Sequence, residues 1–410
     1  MSPFSNNYVE TANQATGQGT NTYGVLPFDT PWSTFYGTNY TNPFPGAFAS
    51  PGSSPSASAA TFALPIAIQT AFSKNFTNGR TYTWNFSVEH QFGSSWVAKA
   101  AYVGSESDHV PYNQNIDVGK PICGPVSATC AQVTSNVPIY PTNLYASIGL
   151  LLSNGTSNYQ AGQFTLQKRF TKGLQMTANY TWAHAIGVGY PGTGLNGGGL
   201  DNPGCLACNR GNSNFDVPQT LSINFVYTTP SLSSWNRATR LALGGWELSG
   251  IFQAHSGLPM TIYCGCTSSW QLSGSDWAQF ASGVTKVHTH PHSLTRTAGG
   301  LLGYLSLSDF NTAGPPQASS GNTGFNSQGV YGPGVNTWDL SFAKNFRFTE
   351  RYNFQFRWEM YNAFNRVTFS SPWIDGTNYT SQPASVFGLI TTTDPNYPAR
   401  VMQGAVKLTF

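Results

Sequence analysis

The sequence predicts an all-β chain, an antiparallel transmembrane β-barrel with long extracellular loops, on three observations. Charged residues make up 9% of the 410, against about 25% in ordinary soluble domains, while aromatics reach 14%. Mean hydropathy is only -0.24, and the longest apolar runs, IGLLL and LLGYL, fall far short of the roughly 18 residues a membrane helix needs. Short stretches of apolar and polar alternation recur along the chain, joined by links that alternate short and long. Alternation lets a strand turn an apolar half to lipid while its average stays polar. A glycine-rich secreted β-protein fits second best. The net charge of +3 has no basic cluster behind it, which sets nucleic-acid binding aside.

Residues 1 to 80 read as an extracellular, irregular segment, with room for one strand in TFALPIAIQTAF (61 to 72). From 81 to 410 the strands come in pairs. YTWNFSVEHQF (82 to 92) sets Tyr82, Trp84, Phe86 and Val88 against Thr83, Asn85, Ser87, Glu89 and Gln91, and WVAKAAYV (96 to 103) follows. QAGQFTLQKRF (160 to 170) turns through TKG into LQMTANYTWAHA (174 to 185). TLSINFVYT (220 to 228) pairs with GWELSGIFQAH (245 to 255) across a longer turn. NTWDLSFAKNF (336 to 346) pairs with YNFQFRWEMYNAF (352 to 364), and RVMQGAVKLTF (400 to 410) stands alone. Most of these segments have about ten residues, the length a tilted strand needs to cross a bilayer.

Links inside pairs are short. Those between pairs cover 104 to 159, 185 to 219, 256 to 335 and 365 to 399. Tight periplasmic turns and large extracellular loops alternate in this way in outer-membrane barrels. With a periplasmic C-terminus, every long loop falls outside. Nine strands are an odd number where bacterial barrels have even ones, and MSPFSNNYVETANQ has neither the basic start nor the apolar core of an export signal. The expectation is therefore an incomplete barrel of about nine or ten strands, the C-terminal part of a longer protein.

Several stretches carry a resemblance in order from about residue 80 onward: YTWNFSVEHQF with AAYVGS, NYQAGQFTLQKRFTKGLQMTANYTWAHAI, NRGNSNFDV, LGGWELSGIFQAHSGLPMTI and GPGVNTWDLSFAKNFRFTERYNFQFRWEMYNAFN. In strands and loop punctuation alike, the chain resembles the barrel domain of Oar-like TonB-dependent outer-membrane receptors. The resemblance implies relatives with a signal peptide, a carboxypeptidase-regulatory-like β-sandwich, a plug and a barrel of about 22 strands. It also implies ligand capture outside, followed by energised movement of the plug. TonB would act only through that plug, which the resemblance leads one to expect outside the stretch given by this sequence. Pro218 and Gln219 stand where relatives commonly carry basic residues.

The six cysteines, Cys123, Cys130, Cys205, Cys208, Cys264 and Cys266, all lie in loops assigned to the outside. In an exported chain they read as disulfide candidates. Cys123 with Cys130 and Cys205 with Cys208 are the natural local pairs. Cys264 with Cys266 would close a strained ring, which leaves another partner open. HTHPH (288 to 292) brings His288, His290 and His292 within reach of one metal ion. No Asp, Glu or Cys stands beside them, so the solvated polar loop is the preferred reading and no metal or cofactor is assigned. GTGLNG (192 to 197) matches a phosphate-loop pattern but lacks the strand and helix that would aim it at a nucleotide.

Tyr82, Trp84, Trp96, Tyr180, Trp182, Trp246, Trp338, Trp358 and Tyr361 are candidates for interfacial girdles. Lys168, Arg169, Lys344, Arg347 and Arg351 gather near short turns and mark the periplasmic rim or the polar interior. No nucleophile elbow, zinc-protease motif or spaced carboxylate pair supports an enzyme. The expected function is an outer-membrane TonB-dependent receptor or transporter segment. Loops 104 to 159, 185 to 219 and 256 to 335 would contact an unknown ligand. The alternative is a self-sufficient small barrel acting as a passive pore or surface adhesin. Expected partners are outer-membrane lipid and the barrel-assembly machinery. For the latter, Val406, Leu408 and the terminal Phe410 form the apolar side of a last strand that resembles an assembly signal.

Overall fold

The computed structural model describes residues 66–115, 145–188, 206–230, 234–262, 277–285, 287, 289, 295–296, 302–311, 330–347, 353–372 and 387–410. Its strands are β1 (Ile66–Phe72), β2 (Arg80–Phe92), β3 (Trp96–Asn115), β4 (Tyr145–Thr171), β5 (Leu174–Gly187), β6 (Gly211–Asn212) and β7 (Gln219–Thr228). After a short helix α1 (Arg237–Leu243) come β8 (Trp246–His255), β9 (Thr295–Arg296), β10 (Leu302–Gly303), β11 (Val335–Arg347), β12 (Asn353–Tyr361), β13 (Leu389–Ile390) and β14 (Val401–Thr409).

One sheet of eleven strands dominates, in the order β2-β3-β4-β5-β7-β8-β11-β12-β14. Every neighbouring pair along that path is antiparallel. β6 adds to the end of β5, and β1 runs parallel to the start of β4. All nine segments marked by alternation are strands of this sheet, and among the described residues β2 and β14 are its two outer strands.

Residues directly opposed across an antiparallel pair share a face, so the register can be followed strand by strand. One row reads Val88, Ala100, Phe164, Tyr180, Leu221 and Ala254. A second reads Leu174, Tyr227, Leu248, Phe342, Trp358 and Gly404. On the opposite face the row Gln175, Val226, Ser249, Ser341, Glu359 and Gln403 crosses the same strands. The sheet thus has one apolar and one polar side. Its large apolar side chains are left open, with Phe86 69% and Trp182 64% exposed. Tyr361 falls on the polar side, opposite Val401, because it follows Met360 by one residue; it is no member of an apolar-face girdle.

Two boundaries differ from the sequence reading. β3 has 20 residues and β4 has 27, so at about 3.3 Å per residue β3 alone runs about 66 Å. The described parts of the supposed loop from 104 to 159 continue these strands, through Asn115 on β3 and from Tyr145 on β4, paired with each other as far as Asn115 opposite Gly149. Alternation fades there, since GSES and NGTSN carry no apolar residue to mark a period, yet the backbone ladder continues. The link between β7 and β8 is no bare turn, because it contains α1.

Turn chemistry fits the sheet closely. Lys172 and Gly173 both take positive φ, 51° and 81°, as a two-residue type I′ hairpin requires. At the other rim Asn362 and Asn365 have φ of 49° and 50°, a region asparagine tolerates better than most residues. The Asn362 amide N–H donates to Asp339 Oδ1 at 2.9 Å. Its side chain donates to the carbonyls of Arg366, at 2.8 Å, and Pro398, at 3.1 Å. The Arg400 N–H donates to Asn365 Oδ1 at 3.0 Å. The YNAFN stretch therefore ties together β11, the end of β12 and the entry to β14.

Aromatic rings fill the hollows above glycines on the apolar face, a known device for stiffening sheets. A Cβ on Gly104 would meet the Trp84 indole at 2.3 Å, whereas one on Gly404 would have nothing within 4 Å. Replacing Gly104 by Val should cost about 1–3 kcal/mol of stability. Gly404→Ala should stay within about 0.5 kcal/mol of the parent. Urea titration of tryptophan emission in micelles distinguishes the two.

Candidate functional site

The long segments that follow β8 and β12 build a single cap. Met260, Ile262, Ala278, Val287, Tyr304, Leu305, Phe310, Val330, Phe387 and Ile390 form one buried cluster. Phe310 stacks on Phe280 with ring centroids 6.4 Å apart and meets Phe387 edge-on at 5.4 Å. The backbone closes around this core: Met260 N–H donates to the Val330 carbonyl at 3.0 Å, Ala278 to Ile262 at 2.9 Å and Tyr304 to Gly388 at 2.9 Å. β13, β10 and β9 make a small sheet beside it. Loops 256 to 335 and 365 to 399 were read as separate. Their described residues meet in one apolar core: the first supplies Met260, Ile262, Ala278, Val287, Tyr304, Leu305, Phe310 and Val330, and the second closes it with Phe387 and Ile390.

One carboxylate fastens the cap to the wall. Asp216 is 1% exposed; its Oδ1 accepts the Ala185 N–H of β5 at 2.6 Å and its Oδ2 accepts the Tyr331 hydroxyl at 2.7 Å. His184 Nδ1 lies 3.4 Å from the same Oδ2. The Asn212 side-chain amide donates to the Tyr331 hydroxyl at 3.0 Å, and the Tyr304 hydroxyl donates to the Tyr331 carbonyl at 2.6 Å. The NRGNSNFDV segment is thereby fixed to β5 on one side and to the cap on the other. Burial, with the hydrogen bond and charge of Asp216, pushes the Tyr331 hydroxyl well above the usual tyrosine range. Burial alone raises Tyr304 to about 12.

A second fastening lies at His255. Its Nδ1 is 2.8 Å from the Ser256 carbonyl and its Nε2 is 3.2 Å from the Tyr397 hydroxyl. A carbonyl only accepts, so Nδ1 carries a proton and donates to Ser256. The polar side of the sheet holds a cavity of about 420 Å³ whose lining includes Gln175, Thr177, Asn224, Ser249, Asp339 and Glu359. Val226, Ile251 and Tyr361 share this open hollow with the polar groups, so its lining is mixed; Glu359 pairs with Arg357 at 3.6 Å.

The residues singled out from sequence are distributed unevenly. Val406, Leu408 and Phe410 stand exposed on the apolar side of the sheet. Cys208 lies in the short 3-10 turn Leu206–Asn209. Cys123, Cys130, Cys205, Cys264, Cys266, His288, His290, His292 and the GTGLNG stretch lie outside the described residues. Among the described residues no group of three His, Cys, Asp or Glu is placed to hold a metal ion. Asp216, Tyr331, Tyr304 and His255 were not singled out, since isolated polar residues announce no partner across more than a hundred positions. The one available signal was NRGNSNFDV itself.

The model of the family described as outer membrane beta barrel domain matches residues 1–403. The chain belongs to that family. Its place is the bacterial outer membrane, and no curated protein matches it. Similar solved structures include the outer membrane transporter YddB from Escherichia coli, at 11% identity and TM-score 0.40, covering 86% of this chain and 35% of that one. The copper transporter OprC is similar at 9% identity and TM-score 0.34, covering 82% and 32%. The ferric-catecholate import receptor Fiu from K12 E. coli follows at 11% and 0.21, covering 80% and 40%. The chain thus spans about a third of the length of the first two transporters. In an outer-membrane barrel the apolar side of the wall faces lipid and the polar side faces the interior. The short-turn rim is then periplasmic and the cap extracellular.

The Tyr304 value gives the cap an alkaline limit. A hydroxyl whose folded value exceeds the unfolded 10.0 leaves stability intact below about pH 10 and erodes it as pH rises toward about 12. Near-ultraviolet circular dichroism should therefore show the cap's aromatic signal fading in that window while the far-ultraviolet sheet signal persists. Tyr331→Phe, which strips a buried carboxylate of a donor, should lower cap stability by about 1–3 kcal/mol at neutral pH.

Proposed function

We propose that the chain is the barrel segment of an Oar-like TonB-dependent receptor or transporter, in which the extracellular cap captures a ligand and the polar side of the wall receives it. The cap carries this reading. A passive pore needs only short or mobile loops, whereas this rim supports a folded unit with its own core, fastened through Asp216 and His255. Binding surfaces are characteristically placed on loops held by a rigid scaffold. The sequence resemblance from about residue 80 to Phe410 and membership in the outer membrane beta barrel domain family support the same reading. The energised step would run through TonB and a plug domain, and the wall and cap described above supply the receiving surface. Barrel-assembly machinery would read the apolar face of β14, ending at Phe410. No part of this reading calls on an enzymatic residue.

Planar-bilayer recording of the refolded protein tests the proposal. Uptake that depends on a plug predicts no stable unitary conductance from this chain. Long-lived, uniform openings would instead support the self-sufficient pore.

A further inference from the structure

The β7–β8 connection is the long one at the periplasmic rim, and it contains a seven-residue helix, α1. A helix of that length does not stand by itself in water, so its supports are informative. The Trp246 indole N–H donates to the Ala242 carbonyl at 2.8 Å. The Lys344 ammonium donates to the same carbonyl at 3.3 Å and also to the Gly244 carbonyl. Trp246 and Lys344 are direct cross-strand partners on β8 and β11, with the ammonium 5.1 Å from the indole centroid. Both belong to the lipid-facing side, two residues along from the pair Leu248 and Phe342. Lys344 is only 3% exposed. The C-terminal turn of α1 therefore covers the lipid-facing wall at its periplasmic edge.

What the segment leaves open is apolar and basic. Trp235, just before the helix, is 55% exposed and Leu243, at its end, is 53% exposed. Arg240 is exposed as well. Between residues 229 and 245 the sequence has Arg237 and Arg240 and no Asp or Glu. Asn236 Oδ1 caps the helix by accepting the Thr239 N–H at 2.8 Å. A second Trp and Lys pair, Trp96 opposite Lys168, repeats the arrangement on β3 and β4 with 5.5 Å between ammonium and ring. Two such pairs at one rim mark the depth at which amphipathic rings and cationic heads meet phospholipid headgroups.

We propose that α1, with Trp235 and Leu243, is an interfacial anchor lying in the periplasmic leaflet. Trp235 and Leu243 enter the region of the acyl carbonyls, and Arg240 meets phospholipid phosphates. The surface is continuous with the lipid-facing wall, and its charge complements phosphate, as in helices that lie in the plane of a membrane interface. This anchor is independent of which ligand the cap takes.

The protein inserted in bilayers of phosphatidylethanolamine and phosphatidylglycerol is compared with its Trp235→Phe variant, so that the difference in emission reports Trp235. Lipids brominated near the acyl carbonyl should quench that difference emission, while aqueous acrylamide should reach it poorly. Arg240→Glu should keep the far-ultraviolet spectrum and lower the partition of the anchor about fivefold in phosphatidylglycerol-containing bilayers, with a smaller loss in bilayers of phosphatidylcholine alone. Strong acrylamide quenching with indifference to bromolipid would overturn the proposal, placing the helix in the periplasm or against a protein partner. Equal behaviour of Arg240→Glu in both bilayers would overturn the phosphate contact.

Discussion

A bilayer offers no water to a peptide group, so each backbone N–H and C=O that crosses it must be paired within the protein. The antiparallel ladder from β2 to β14 meets that demand strand by strand. Its register does more than satisfy hydrogen bonds. Because side chains alternate with a period of two, a slip of one residue in any strand would carry its apolar set into the polar face. Val88, Ala100, Phe164 and Tyr180 fall in line across four strands, so the ladder and the apolar surface specify each other. Glycines at Gly104 and Gly250 then accept neighbouring aromatic rings, Trp84 in the first case and Phe225 in the second.

A wall of this kind has almost no interior of its own. Its apolar residues are open to lipid, and its polar residues line an inner surface. The buried cluster of Met260, Ile262, Phe310 and Phe387 instead lies in the cap, a water-exposed position where the hydrophobic effect drives compaction. Lipid and water thus place apolar residues oppositely in one chain: outward across the membrane and inward above it. The two regimes meet at Asp216, a carboxylate removed from water and satisfied by a backbone amide of the wall and a hydroxyl of the cap. Loss of either donor would leave one oxygen of a buried carboxylate short of a hydrogen bond, a cost that favours keeping wall and cap joined.

The rims differ for the same reason. At the extracellular rim, chain length is spent on a folded cap and on the extension of β3 and β4. At the periplasmic rim, connections are held close: Lys168 donates to the Thr171 hydroxyl at 2.6 Å and Lys344 to the carbonyls behind α1. Both lysines lie over tryptophan rings. Their stems lie along apolar surface while their heads satisfy turn carbonyls.

The sequence by itself determined the strands and their faces. YTWNFSVEHQF and QGAVKLTF announce a period of two in the residues themselves, and low charge with no long apolar run leaves lipid as the natural solvent for the apolar side. TKG and YNAFN likewise carry their turn conformations in local chemistry. The extent of β3 and β4 was hidden because small polar residues sustain a ladder without showing a pattern. Tyr361 was misplaced because aromatic character does not reveal which side of a strand a residue occupies unless its neighbour Met360 is counted with it. The cap, the Asp216 junction and the support of α1 by Trp246 and Lys344 were decided only by tertiary structure. Each joins residues far apart in the chain, as Tyr331 with Asp216 and Lys344 with Ala242, through contacts that no local period encodes and that exist only once the register of the wall has brought them together.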